Sequence, residues 1–198
     1  MILNEKIKDF RVVLASASPR RHALLHGMGI DFDIAPVHAE EIYPKALQAA
    51  EVPEYLSRLK SEAYPLDKLE ENDILVTADT IVWKDGRVIE KPVDEEDAVK
   101  ILNNLSGNMH EVFTAVTLKS LQKQHTFSVR SAVWFRELSD EEIDYYIDTH
   151  QPFDKAGSYG VQEWIGYIAI ERIEGSYFNV MGLPTQQLYK ELCAFIGE

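Results

Sequence analysis

The chain of 198 residues is 45% hydrophobic and 27% charged, an ordinary globular composition that excludes a disordered chain, a collagen-like fibre and a small disulfide-stapled scaffold. Its one cysteine, Cys193, closes no intramolecular bridge and reads as a small core residue near the C-terminus. With 20 Lys and Arg against 33 Asp and Glu, the formal charge of −13 repels DNA and anionic membranes, so neither nucleic acid nor a membrane surface is an expected partner.

Residues 11–16 read as a short strand buried on both faces. Ser18-Pro19 starts a helix, with Ser as N-cap and Pro at the first helical position; Leu24, Leu25 and Met28 are its apolar face and Gly29 its end. Phe32 and Ile34 suggest a second short strand. Residues 53–69 carry a helical pattern with Tyr55, Leu56, Leu59 and Ala63 on one side. A buried strand, 74–78, runs on into Asp79-Thr80-Ile81-Val82-Trp83, and Lys84-Asp85-Gly86 turns it into a hairpin with 87–89. Asp94 caps a helix whose apolar face is Ala98, Ile101, Leu102 and Leu105, stopped by Gly107. Residues 112–121 and 126–135 form a long antiparallel pair. Ser139 and Glu142 make a capping box for the next helix. Residues 165–173 read as a strand and 184–196 as a C-terminal helix. The order is that of an α/β protein with a mixed sheet, and residues 1–198 read as one domain. The first ten residues alternate charged with apolar positions, unlike a secretory signal, and no run of about 18 apolar residues occurs. The expected setting is soluble and cytoplasmic.

Five segments concentrate chemistry. In Ser16-Ala17-Ser18-Pro19-Arg20-Arg21, two arginines occupy the opening turn of a helix, where the backbone dipole disfavours cations by a few tenths of a kcal/mol or so. Free amides, two hydroxyls and two guanidiniums suit a polyphosphate; the plainer alternative is two exposed arginines paired with surface acids. Asp79-Thr80 places a carboxylate inside an apolar strand, where an unpaired charge costs several kcal/mol, so Asp79 must pair, bind a metal or face a cleft. In Glu90-Lys91-Pro92 the proline ends a strand and Lys91 projects from that end. Residues 154–162 and 175–184 are Gly-punctuated loops, the second read mainly as a tight connection into the last helix. His22 and His26 share a helix face at i, i+4, either as metal ligands or as one side of a solvated helix. Walker, dinucleotide-binding, HExxH, zinc and GxSxG patterns are missing from the sequence.

Taken together and in order, Leu14-Ala15-Ser16-Ala17-Ser18-Pro19-Arg20-Arg21, Ala78-Asp79-Thr80-Ile81-Val82, Glu90-Lys91-Pro92, Leu105-Ser106-Gly107, Asp154-Lys155-Ala156-Gly157 and Gly182-Leu183-Pro184 resemble the Maf family of nucleoside triphosphate pyrophosphatases. The resemblance implies an elongated α/β fold with a mixed sheet, flanking helices and two lobes around a central cleft. It implies a cytoplasmic homodimer that hydrolyses nucleotides to monophosphate and pyrophosphate with a divalent cation, Mg²⁺ or Mn²⁺. By the same resemblance Asp79 matches the proton acceptor, Ser16, Arg20, Arg21 and Lys91 match phosphate-contacting positions, and Glu41 joins Asp79 at the metal, with Glu40 as the alternative. Arg20, Thr80 and Gln162 match the positions that separate subgroups, and their combination resembles the dTTP/UTP-preferring one. The family's helix lysine aligns with Ala63, while Lys60 lies about one turn earlier on the same face. Two other classes remain open: a nucleotide-sensing regulator of cell division without catalysis, and a phosphatase releasing orthophosphate.

Overall fold

The structure, a computed structural model, describes residues 2–197. Its frame is a seven-stranded mixed sheet built on β3 (Asp73–Lys84). β1 (Arg11–Leu14) lies parallel to β3 and carries β2 (Asp33–Ile34) parallel on its outer side. On the other side follow three antiparallel strands, β5 (Met109–Lys119), β6 (Gln124–Phe135) and β7 (Ile170–Glu174). β4 (Arg87–Ile89) returns as a hairpin on the end of β3.

This register creates an opening. β5 pairs with β3 continuously from Leu75 to Trp83. The opposite edge of β3 is shared: β1 takes residues 73–76 and β4 takes 82–84. Between them, 77–81 have no strand partner on that edge. A strand presents successive side chains to opposite faces, so an interrupted edge lets one cavity reach both.

The faces are covered differently. Over one lies α3 (Glu51–Ala63), with Val52 and Leu56 against Ile81 and Phe113. Over the other lie two separate cores. The first joins Ile74, Val76 and Ala78 to Leu24 and Leu25 of α2 (Pro19–Gly27) and to Leu188 and Leu192 of α8 (Thr185–Gly197). A short helix, α1 (Leu3–Lys6), adds Leu3 to it. The second joins Val82, Val112 and Val133 to α4 (Glu95–Leu105), α5 (Asp140–His150) and α6 (Trp164–Ala169). A polar belt parts them: Thr80 and Thr114 face each other at 2.9 Å, and Thr114 donates to the carbonyl of Asn179 in α7 (Tyr177–Met181). Two lobes therefore meet beside the open edge of β3.

Asp94 and the Ser139–Glu142 capping box act as expected. Three expectations change. Residues 165–169 are the body of α6 and only the end of that segment is strand; an unbroken apolar run does not distinguish the two, and Ile165 and Ala169, four apart, bury one helical face. The 53–69 pattern is α3 followed by a 3₁₀ turn at Leu66–Lys68, because Tyr64 precedes a proline and is extended. The buried side of α3 is also rotated: Ser57 and Ser61 face the sheet while Ala63 is exposed. Small side chains permit close approach: Thr77 donates to the Ser57 backbone carbonyl at 2.7 Å and the Ser57 hydroxyl meets Thr117 at 3.0 Å, while the Ser61 hydroxyl is buried without a partner.

Candidate active site

A cavity of about 310 Å³ occupies the cleft, within the range of small-ligand pockets. Its lining includes five cations, Arg20, Arg21, Lys60, Lys91 and Lys155, and four carboxylates, Glu41, Asp79, Glu90 and Asp154. A chain of net charge −13 thus gathers a slight positive excess at one place.

Asp79 lies in the middle of β3, not at a strand end, and is 6% exposed. It faces α3, whose Lys60 Nζ stands 2.5 Å from Asp79 Oδ1 and 2.7 Å from Glu41 Oε1. Burial raises the Asp79 carboxyl above the ordinary value, while the charge and hydrogen bond of Lys60, and Arg21 beyond it, oppose that. For Glu41 burial also pushes upward, but Lys60, Lys91 and Arg21 prevail and hold it below the usual range. Lys91 Nζ is 3.8 Å from Glu41 Oε2. Glu90 accepts from the Tyr43 hydroxyl at 3.1 Å, and burial together with the Glu90 charge pushes that phenol up to about 12, so it stays a donor.

Thr80 faces the other way, toward α2. Arg21 reaches it at 3.2 Å through Nη2 and donates Nε to the Gly182 carbonyl at 2.9 Å. Burial lowers the Arg21 pKa and the Asp79 charge opposes it; a guanidinium keeps its charge regardless. Ser18 stands at the N-cap of α2 but makes no side-chain cap. Ser16 supplies the hydroxyl instead, accepting from the Ser18 amide at 3.2 Å, while His22 bonds the Ser16 carbonyl at 2.7 Å. The helix start is thus shaped from behind, and the amides of its first turn are left without a side-chain cap. His22 is therefore engaged with the loop through one ring nitrogen. Arg20 lies 3.4 Å from Asp154.

The far wall comes from residues 156–162. Gly157 has φ +71°, and a Cβ there would sit 2.9 Å from Val82 Cγ2, so only glycine lets this loop close on β3. Gln162 lines the cavity, and its Oε1 is buried without a hydrogen-bond partner. Among the described residues no group of three or more His, Cys, Asp or Glu is arranged around a metal position. Two converging carboxylates, Asp79 and Glu41, still suit a hard divalent ion that completes its shell with substrate phosphates and water.

A family model described as Maf-like protein matches residues 11–195. The chain belongs to the Maf-like family. A relative from Bacteroides thetaiotaomicron, named dTTP/UTP pyrophosphatase, is 50% identical over 94% of this chain and 96% of its own. Relatives of the same name from Parabacteroides distasonis and Flavobacterium johnsoniae are 48% and 44% identical, over 96% and 98% of this chain and 99% and 100% of theirs. The solved Staphylococcus aureus Ham1 protein shares the fold, with a TM-score of 0.51 over 91% of this chain and 99% of its own at 16% identity. Among the described residues no helix is long and apolar enough to cross a membrane.

In this Maf-like chain the cavity brings together Arg20, Arg21, Glu41, Asp79, Thr80, Lys91 and Gln162. Ser16 lies behind it, touching Ser18 and, at 3.5 Å, Arg21. Glu41 reaches Lys60 and lines the cavity, while Glu40 is not part of the lining. Of the two positions for the family's lysine, Lys60 stands at the carboxylates and Ala63 is exposed. Sequence reasoning missed Lys155 as a lining cation, although a lysine in a Gly-punctuated loop is an unusual thing to bury. It also read 175–184 mainly as a connection, whereas Val180, Met181 and Gly182 line the cavity.

Proposed function

We propose that this cleft hydrolyses dTTP and UTP to the nucleoside monophosphate and pyrophosphate. The observation that carries the reading is the lining itself: a buried carboxylate paired to a lysine on one face of β3, and two arginines at an uncapped helix start on the other, in one cavity. The names of relatives near 50% identity support the same substrates.

Asp79 accepts a proton from water, whose oxygen attacks the α-phosphorus. The bond to the bridging oxygen breaks, pyrophosphate leaves, and the proton passes from Asp79 to solvent. Arg20, Arg21, Lys91 and the first amides of α2 receive the charge that develops on the leaving group. Lys60 holds Asp79 and Glu41 in place and offsets their charge. Asp79 and Glu41 would hold a divalent cation with the substrate phosphates, and when bound such an ion neutralises phosphate charge and makes water more acidic. A uracil or thymine edge offers an imide N–H between two carbonyls; the unpartnered Gln162 Oε1 accepts from the first, its amide donates to a second, and Thr80 lines the same cavity from β3.

Replacing Asp79 by Asn keeps shape and removes the proton acceptor. Release of pyrophosphate from dTTP is expected to fall by about 10²–10⁴-fold with nucleotide binding still measurable. Turnover at the parental rate would remove Asp79 from the role of base. The product decides among classes: orthophosphate points to a phosphatase, and no product from the unaltered protein points to a sensor. We further read the protein as a cytoplasmic homodimer of single-domain chains, on the family pattern; light scattering on the eluted protein tests the dimer.

A further inference from the structure

Gln162 is the third residue of a tight turn, closed by the Glu163 amide donating to the Gly160 carbonyl at 3.0 Å. Both ends of that turn meet one phenol. Tyr146, 0% exposed on α5, accepts from the Gly160 amide at 3.1 Å and donates to Glu163 Oε2. The other Glu163 oxygen accepts from Lys155 Nζ at 3.2 Å, Lys155 bonds Asp154 at 2.6 Å, and Asp154 faces Arg20. Space around the turn is tight. A Cβ on Gly160 would lie 2.7 Å from Glu163 Cδ and 2.9 Å from Gln162 Nε2, so carboxylate and amide both fold over that glycine. Neither Tyr146 nor Glu163 lines the cavity.

We propose that Tyr146 and Glu163 are positioning residues that clamp the 160–163 turn, hold the Gln162 amide in one orientation and so set selectivity among pyrimidines. The inference rests on the reading of Gln162 as the base contact. A primary amide turned by 180° exchanges its donor and acceptor and then matches cytosine as well as it first matched uracil. Discrimination between the two bases therefore requires the amide to be held, and the clamp fixes the backbone turn from which Gln162 springs, with its Nε2 packed close over Gly160. Burial, with the Glu163 hydrogen bond and charge adding to it, keeps the phenol far above its ordinary pKa and hence a neutral donor. The same chain of bonds ends at Arg20, so the turn is braced from the phosphate end of the cleft.

Two variants test this, Tyr146→Phe and Glu163→Gln, each assayed for pyrophosphate release from UTP and from CTP. The clamp predicts that the UTP over CTP ratio of kcat/KM falls about tenfold or more in each, with the KM for UTP raised and its kcat changed less. A brace that serves only stability lowers the melting temperature and leaves the ratio alone. A ratio within twofold of the parent in a folded variant overturns the proposal, and Glu163→Gln alone decides it if Tyr146→Phe does not fold. Lack of preference in the unaltered protein defeats the reading of Gln162, and this inference with it. A parental preference that survives both changes defeats the clamp alone.

Discussion

Lys60 stands between two carboxylates that would otherwise repel each other. Its removal is informative because burial already raises the Asp79 pKa and Lys60 opposes that rise. In Lys60→Met the Asp79 carboxyl moves further up. A base works only when deprotonated, so activity is lost as pH falls through that value. The acid limb of kcat/KM against pH is expected to move upward, and an unmoved limb would dissociate it from Asp79. At this scale much was legible. Asp79 announced itself because a carboxylate inside an apolar strand needs a compensating partner. The partner did not: nothing local sets Lys60 apart from other lysines of the chain, and alignment by spacing pointed to Ala63. Only the contacts of Ser57 with Thr77 and Thr117, and the burial of Ser61 one turn on, show which side of α3 meets the sheet. Lys155 was hidden for a related reason, since a loop has no periodicity from which burial can be read.

Helix α5 carries the Tyr146 clamp, and its start is well determined. Ser139 accepts from the Glu142 amide, Glu142 returns to the Ser139 amide at 3.0 Å, and Arg136 grips the same carboxylate with two nitrogens. The Arg136 hydrogen bond, then the Ser139 amide, bring Glu142 down to about 2. Ser139→Ala is expected to destabilise the protein by about 1 kcal/mol in chemical denaturation, with pyrophosphatase activity retained; an unchanged midpoint would mean that Arg136 and Glu142 hold this helix start without the cap. Capping of this kind is local and could be read directly, as could the stop at Gly107 and the hairpin turn at Asp85-Gly86. The α6 segment could not, because its six residues and the first of the following strand present one short apolar run that suits either element. Tertiary contact chose: the Arg136 amide donates to the Ala169 carbonyl at 2.9 Å and Arg136 Nε to that of Ile168, fixing the end of α6 beside β6.

Across the whole molecule, stability is tied to pH by His110. It lies on β5, 1% exposed, bonded to the Tyr159 hydroxyl at 2.8 Å, with Nδ1 unpartnered. Burial, helped by Lys84, pushes its pKa down to about 3 from 6.5. Between those values the unfolded chain binds a proton that the folded chain refuses, so stability falls as pH drops from about 6.5 toward 3. The melting temperature of His110→Gln is expected to depend less steeply on pH over that window; an equal slope would place the acid sensitivity elsewhere. His110 also packs edge-on against Phe135 and Tyr159, beside the loop that closes the cleft. That cleft exists because β1 and β4 divide one edge of β3, and because two apolar cores on one face are parted by Thr80, Thr114 and Asn179. The amino-acid order by itself determined the elements whose signals are local: caps, turns, strand alternation, and polar residues set against an apolar pattern. Which faces meet is a long-range matter. The pairing of Lys60 with Asp79, the seat of Gln162 in a clamped turn and the gap in β3 were decided only by the tertiary structure, because each depends on register between segments far apart in the chain, and no local propensity encodes register.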